Sequence, residues 1–339
     1  MRWLDGVRVL DATRLLPGAY ATLLLADLGA DVVKLEDPRG GDGMRTLPTA
    51  AGRGSYFDAL NRGKRSVTLD LRSPDAAGVL DALAARADVL VESFRPSTAR
   101  RLGVDGATLI RRHPRLVCAS MSGFGPAGAD AERAAHDINY QALAGLLRPP
   151  ALPGPLIADI GAAMQTAIGI LAALFARQAT GAGAIVQSPI QDAADSWAMF
   201  PTTAELESAC YTLYETADGE WLALGALEPK FWRGFCERID RADLVSLQHA
   251  HGAEGARLLE EVRRVMKTRT RDAWLAHFEG ADACLTPVLS PGAVRRQAAV
   301  ASNAAVTPAP VLGADTDALL DEAGITADER ARLRSGGVI

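Results

Sequence analysis

The sequence predicts an α/β protein, with a large domain on a doubly wound parallel sheet followed by a smaller α+β domain. Three observations carry this. Apolar, β-branched runs such as 7–13 and 31–36 read as buried strands. They alternate with helical segments at the spacing of crossover connections. Past residue 205 the pattern changes to a hairpin turning at Asp218-Gly219.

Taken in order, strand 7–13 leads into a turn at Leu15-Leu-Pro-Gly18. A helix over 19–28, ended by Gly29, and a strand over 31–36 complete a βαβ unit. The turn lacks G-x-G-x-x-G, which argues against a nicotinamide or flavin dinucleotide. Strand 66–71 precedes Ser73-Pro74-Asp75, a helix start with a cap, a proline and an acid, and this helix should run to about 87. Strand 88–92, helices 97–102 and 106–112, and strand 116–121 continue the alternation. Loops 39–53, 92–96 and 122–128 then fall at the carboxyl edge of the sheet, where ligands of such folds sit.

Residues 133–147 read mostly as a buried helix, and 148–155 as a proline-rich connector. A long apolar helix over 157–177 and a strand over 184–187 close the first domain. The second has the hairpin 211–225 and helices at 229–239, 256–266 and 271–278. A helical tail, 317–334, is expected to return to the first domain. The division is 1–196, a linker 197–204, 205–297, and a returning segment 298–339.

The composition, 48% hydrophobic and 23% charged over 339 residues, is that of a soluble globular chain of two domains. A net charge of −5 argues against nucleic acid as the partner. No run of about 18 apolar residues is found, so no membrane span is expected. The start, Met1-Arg-Trp-Leu-Asp, has no signal-peptide layout. Cys118, Cys210, Cys236 and Cys284 lie far apart without a C-x-x-C pair, which suits reduced thiols and a cytoplasmic location. Arg95, Arg100, Arg101, Arg111, Arg112 and Arg115 read equally as a solvated helix face or an anion site.

Several polar residues stand at element ends. His136 follows the glycine-rich 122–128 stretch and reads as a proton carrier shown to a pocket, while Asp137 beside it reads as a plain helix cap. Asp159 opens the long helix among apolar neighbours. It is either an N-cap or a carboxylate whose burial and helix dipole pull its acidity in opposite directions. Glu228 precedes a helix-starting proline, where dipole complementation suffices to explain it. His249 and His251 have metal-like spacing without accompanying ligands and read as a loop with exposed histidines.

Ordered motifs along nearly the whole chain add a resemblance. They are Leu4-Asp-Gly-Val-Arg-Val-Leu-Asp11, Leu25-Ala-Asp-Leu-Gly-Ala-Asp-Val-Val-Lys-Leu35, Asn61-Arg-Gly-Lys-Arg-Ser-Val-Thr-Leu-Asp-Leu71, Val89-Leu-Val-Glu-Ser-Phe-Arg-Pro96 and Gly169-Ile-Leu-Ala-Ala-Leu-Phe-Ala-Arg-Gln178. With these the chain resembles the class III CoA-transferase superfamily and its Rossmann-like large domain. His136-Asp-Ile-Asn-Tyr140 and Gly225-Ala-Leu-Glu-Pro-Lys-Phe-Trp232 look most like the α-methylacyl-CoA racemases within it.

The resemblance implies an acyl-CoA thioester as substrate and no cofactor or metal beyond the coenzyme A it carries. It implies His136 and Asp159 as acid–base groups on opposite faces of one α-carbon, with Glu228 orienting the histidine. Arg39, Arg72, Phe94, Arg95, Arg101 and Tyr140 would hold the CoA moiety. It also implies an interlocked homodimer. The rival is a CoA-transferase with Asp159 as nucleophile, and a third reading is a non-catalytic CoA-ester binder. The chain departs from the racemase pattern at Ala135, where glycine is usual, and in its short connectors near 147–156 and 197–211.

Overall fold

The computed structural model describes residues 2–48, 52, 54–200, 205–290, 293 and 307–339. Linker positions 201–204, residues 291–292 and 294–297 of the expected second domain, and residues 298–306 of the expected return lie outside the described residues. The chain divides into two units, Met1–Met199 with Val306–Ile339, and Phe200–Ala305.

Among the described residues the first unit holds six strands: β1 (Arg8–Asp11), β2 (Asp31–Glu36), β3 (Arg65–Thr68), β4 (Val89–Glu92), β5 (Val117–Ser120) and β6 (Ile185–Gln187). All pair in parallel, in the order β3-β2-β1-β4-β5-β6, which is the doubly wound topology expected. The central strands carry Val9, Leu10, Val89, Leu90 and Val117, all buried, because both faces of such a sheet are covered.

Between the strands run α1 (Leu15–Asp27), α2 (Ser55–Leu60), α3 (Ala76–Ala84), α4 (Pro96–Leu102), α5 (Gly106–Arg112), α6 (Asp137–Leu143) and α7 (Ile157–Thr180), with α8 (Ile190–Ala198) after β6. One core packs Leu25 of α1 and Ile170 and Leu174 of α7 on the sheet. On the opposite core lie Val79, Leu80 and Leu83 of α3 with Leu319, Leu320 and Leu333 of the C-terminal helices.

Strands β1 and β3 are shorter than expected and the helix expected over 256–266 begins four residues earlier, at Gly252; four further departures have local causes. The Leu-Leu-Pro-Gly stretch is the first turn of α1, because a proline there lacks only an N–H that a helix start leaves unpaired anyway. Helix α3 begins three residues after Ser73, whose hydroxyl instead takes the N–H of Asp75. The helix expected over 133–147 is confined to Asp137–Leu143, between an extended His136 and the left-handed Gly145. The tail forms two helices, α12 (Thr316–Glu322) and α13 (Ala327–Ser335), separated at Gly324.

That tail covers the outer edge of β3. Ser66 N–H donates to the Asp315 carboxylate at 2.9 Å, Asp315 N–H to Ser66 O at 3.0 Å, and Thr68 N–H to Thr316 Oγ1 at 3.0 Å. These bonds pair edge groups that would otherwise template another strand. Contrary to the expectation that no segment has the length and apolarity of a membrane span, helix α7 has both, and half of that stretch is buried within the unit.

The second unit pairs β7 (Tyr211–Glu215), β8 (Trp221–Gly225) and the unforeseen short β9 (Leu285–Pro287) as an antiparallel sheet. Helices α9 (Pro229–Arg238), α10 (Gly252–Met266) and α11 (Arg271–His277) cover it. Trp232, Phe235, Trp274 and Phe278 fill its core, with ring centroids 5.6–6.0 Å apart for Phe235–Phe278 and Trp274–Phe278. Truncating such a tryptophan to alanine costs about 3–5 kcal/mol.

Candidate active site

The sheet order reverses between β1 and β4, and a cavity of about 490 Å³ opens outside the carboxyl ends of those strands. Arg14 to Pro17 follow β1, Ser93 to Arg95 follow β4, and Met121 and Gly123 follow β5. Met44, Leu47 and Tyr56 form another wall, and His136, Tyr140, Leu156 and Asp159 a further one. His136 and Asp159, 23 residues apart in sequence, thus face one space.

The start of α6 explains how His136 is presented. His136 has extended backbone (φ −128°, ψ 171°) and donates its N–H to Asn139 Oδ1 at 3.0 Å, which anchors the residue before the helix. Its side chain lies on the cavity wall.

The neighbouring carboxylate does something the sequence did not reveal. Asp137 is buried, and its Oδ1 accepts the backbone N–H of Asp159 at 3.0 Å while the other oxygen takes the Gln141 amide. It therefore satisfies a first-turn donor of α7, not one of its own helix. Asp159 is not the helix cap either: that position is Leu156, and Asp159 stands in the first turn. Half-buried burial, and secondly the Asp137 carboxylate, push the Asp159 carboxyl up to about 7.

Tyr140 packs beside them, its ring centroid 5.3 Å from that of Phe124. Burial, with the Asp159 carboxylate adding to it, raises its phenol to about 12. A Cβ at Gly123 would stand 2.4 Å from the Tyr140 hydroxyl, so the wall there requires glycine.

The residues expected to hold CoA distribute along the sheet edge. Phe94, Arg95 and Tyr140 line the cavity with His136 and Asp159. A cleft of about 220 Å³ shares Arg14 and Phe94 with it and adds Arg72 and Arg101, and a third of about 280 Å³ again includes Arg72 and Arg101 together with Arg100 and Arg112. The shared walls make a track leading from the cavity to a basic rim. Arg39 lines none of these three spaces. Arg39 and Arg72 are each paired with both Asp37 and Asp70, and their side chains are 60% and 56% exposed.

Glu228 belongs to the second unit, exposed at the position before α9, and its side chain makes no capping bond to that helix. His249 and His251 are exposed before α10, and among the described residues no group of three His, Cys, Asp or Glu side chains could hold a metal.

A cluster of buried charges behind the cavity escaped the sequence reading. Lys34 Nζ lies 3.1 Å from Asp42 and 3.9 Å from Asp11, and Lys64 Nζ lies 3.1 Å from Asp11, all essentially without solvent contact. Glu36 joins through Arg45 at 2.7 Å. The signal was present as charged residues within otherwise apolar strands, Asp11 in β1, and Lys34 and Glu36 in β2.

A family model for CoA-transferase family III matches residues 4–312. The human alpha-methylacyl-CoA racemase is 31% identical over 99% of this chain and 97% of its own length. The succinyl-CoA:mesaconate CoA-transferase of Haloarcula hispanica is 35% identical over 72% of this chain and 69% of its own. Among solved structures, a CAIB/BAIF family protein from Brucella suis superposes with a TM-score of 0.78 at 26% identity, covering 94% of this chain and 99% of that one. A hypothetical protein from Mycobacterium tuberculosis gives 0.80 at 28%, over 94% and 99%.

Proposed function

The chain belongs to CoA-transferase family III, and from that premise we propose that it is an acyl-CoA epimerase of the α-methylacyl-CoA racemase kind. One group removes the α-proton of a 2-methylacyl-CoA thioester, an enolate forms, and a second group returns a proton to the opposite face. The observation that carries this reading is the pair His136 and Asp159 on the walls of one cavity, with Asp159 raised to about 7. Proton carriers work best when their acidity lies near the working pH. Phe94, Arg95, Arg101 and Tyr140, with Arg72 at the rim and Arg39 joined to it through Asp37 and Asp70, hold the CoA moiety, the arginines through its phosphates. Glu228 orients the imidazole, from the partner chain of a cytoplasmic homodimer. The reaction calls on no cofactor beyond the CoA of the substrate.

The curated transferase relatives favour a second reading, in which Asp159 attacks as a nucleophile and passes through an aspartyl-CoA thioester. A nucleophilic carboxylate must be ionised, so an acidity lowered toward neutrality works against that role and for proton transfer.

Incubation of a 2-methylacyl-CoA in deuterated water separates the readings. The epimerase reading expects α-deuterium uptake that falls by about 10²–10⁴-fold in His136→Ala and in Asp159→Asn. CoA transfer to a free acid, with hydroxylamine-sensitive loss of activity at Asp159 and no α-exchange, would establish the transferase. Tight CoA-ester binding with neither reaction would leave a binding protein.

A further inference from the structure

The buried charge cluster lines none of the cavity itself, but one member, Asp42, bonds to two residues that do. Asp42, 3% exposed, lies between two walls: its carboxylate accepts the N–H of Leu15 at 3.3 and 3.4 Å and the N–H of Met44 at 3.0 Å. Leu15 and Met44 line the cavity from different elements, the start of α1 and the 3₁₀ turn at Gly43–Arg45. Leu15 is held at φ +62°, a left-handed conformation that a leucine rarely adopts and keeps only where its surroundings impose it.

The rest of the cluster fixes Asp42. Lys34 Nζ approaches it to 3.1 Å and also donates to Thr13 O at 3.0 Å, two residues before Leu15. Glu36 accepts the N–H of Asp42 at 3.0 Å and the guanidinium of Arg45, whose Cζ stands 3.8 Å over the Phe57 ring. Counted together, Asp11, Glu36 and Asp42 balance Lys34, Lys64 and Arg45. An array of paired charges without water is a weak source of stability but a rigid one, since each partner's position dictates the next.

We propose that Asp42 is a positioning residue that sets the distance between the Leu15 and Met44 walls, and so selects the width of the acyl group at its α-carbon. The inference rests on the reading above that an acyl group occupies this cavity. Asp42 touches no reacting atom in this scheme; it acts through the two backbone N–H groups it holds.

The test substitutes Asp42→Asn, which keeps one acceptor but turns an amide donor toward Lys34 and Leu15. Without ligand, hydrogen exchange at the Leu15 amide should accelerate about tenfold, with a smaller increase at Met44. Binding of unreactive CoA thioethers bearing straight or α-methyl-branched alkyl groups is then compared by calorimetry. The wild-type preference between the two should shrink at least fivefold in Asp42→Asn, while affinity for free CoA stays within twofold. A merely structural aspartate would lower the melting temperature and leave the preference as it was.

Should Asp42→Asn not fold, the pair Lys34→Gln with Asp42→Asn keeps the cluster electrically balanced and still leaves Leu15 and Met44 to share one acceptor oxygen in place of two, so the same two readings apply. An unchanged Leu15 exchange rate overturns the proposal, and so does an unchanged preference with faster exchange. If the wild-type protein binds neither thioether, the functional reading fails first and takes this inference with it.

Discussion

Asp11 and Asp159 are carboxylates of the same unit, and for both the strongest influence is loss of water, yet they end at opposite extremes. At Asp11, Lys34 and Lys64 and the hydroxyls of Thr13 and Thr22 outweigh that loss and hold the group well below the ordinary carboxylate range. At Asp159 the nearby charge is another carboxylate, Asp137, and the group rises to about 7. The difference lies in the partners and not in the depth. A carboxylate given cations becomes a fixed part of the scaffold; one given an anion retains a proton near neutral pH and is available for exchange.

The largest effect that would break this contrast is on the scaffold side. Asp11→Asn leaves Lys34 and Lys64 short of a counter-charge, and urea unfolding should show a loss of about 3–5 kcal/mol. The pH at which α-exchange reaches half its maximum should stay where it is. A shifted midpoint would mean that the two sites are one electrostatic system.

A smaller effect sharpens the other side. A carboxyl raised in the folded state contributes stability that is present below its unfolded value near 3.8 and is lost as pH rises through about 7. Between pH 4 and pH 8 the wild-type protein should therefore lose roughly 1–2 kcal/mol relative to Asp159→Asn, after allowance for partial solvent contact. Asp11 has the opposite sign: its contribution is lost only as pH falls below the carboxylate range. Paired unfolding curves at the two pH values check this, and parallel behaviour of wild-type and variant would remove Asp159 from the group of raised acids.

The smallest effect concerns the neighbour. Asp137→Asn removes the anion but keeps an oxygen able to accept the Asp159 N–H. The midpoint of α-exchange assigned to Asp159 should move down from about 7 with little change in the maximal rate. If burial alone sets the acidity, the midpoint will not move.

The sheet and its edge loops were legible because strand runs and crossovers are local patterns, and the topology then dictates where a ligand sits. His136, Asp159, Phe94, Arg95 and Tyr140 line the cavity together. Residues whose roles are set across the fold were not legible. Asp137 reads as a cap for its own helix until α7 is packed against it. Leu15 reads as part of a turn because nothing in Leu-Leu-Pro-Gly announces an acceptor 27 residues away. The ion pairs of Arg39 and Arg72 with both Asp37 and Asp70 were likewise not legible, since the four residues meet only once β2 and β3 are paired.

The return of the C-terminal segment to β3 has a consequence for how the protein is made. Leu319, Leu320, Ile325, Leu333, Val338 and Ile339 belong to a core whose other buried members precede residue 120, and Ser66 and Thr68 find edge partners at Asp315 and Thr316. On the ribosome, the first unit must therefore wait, one core open and one sheet edge bare, while residues 200–305 are synthesised. At about 5–20 residues per second that exposure lasts on the order of 5–20 s, long enough for a nascent chain to need shielding from its neighbours.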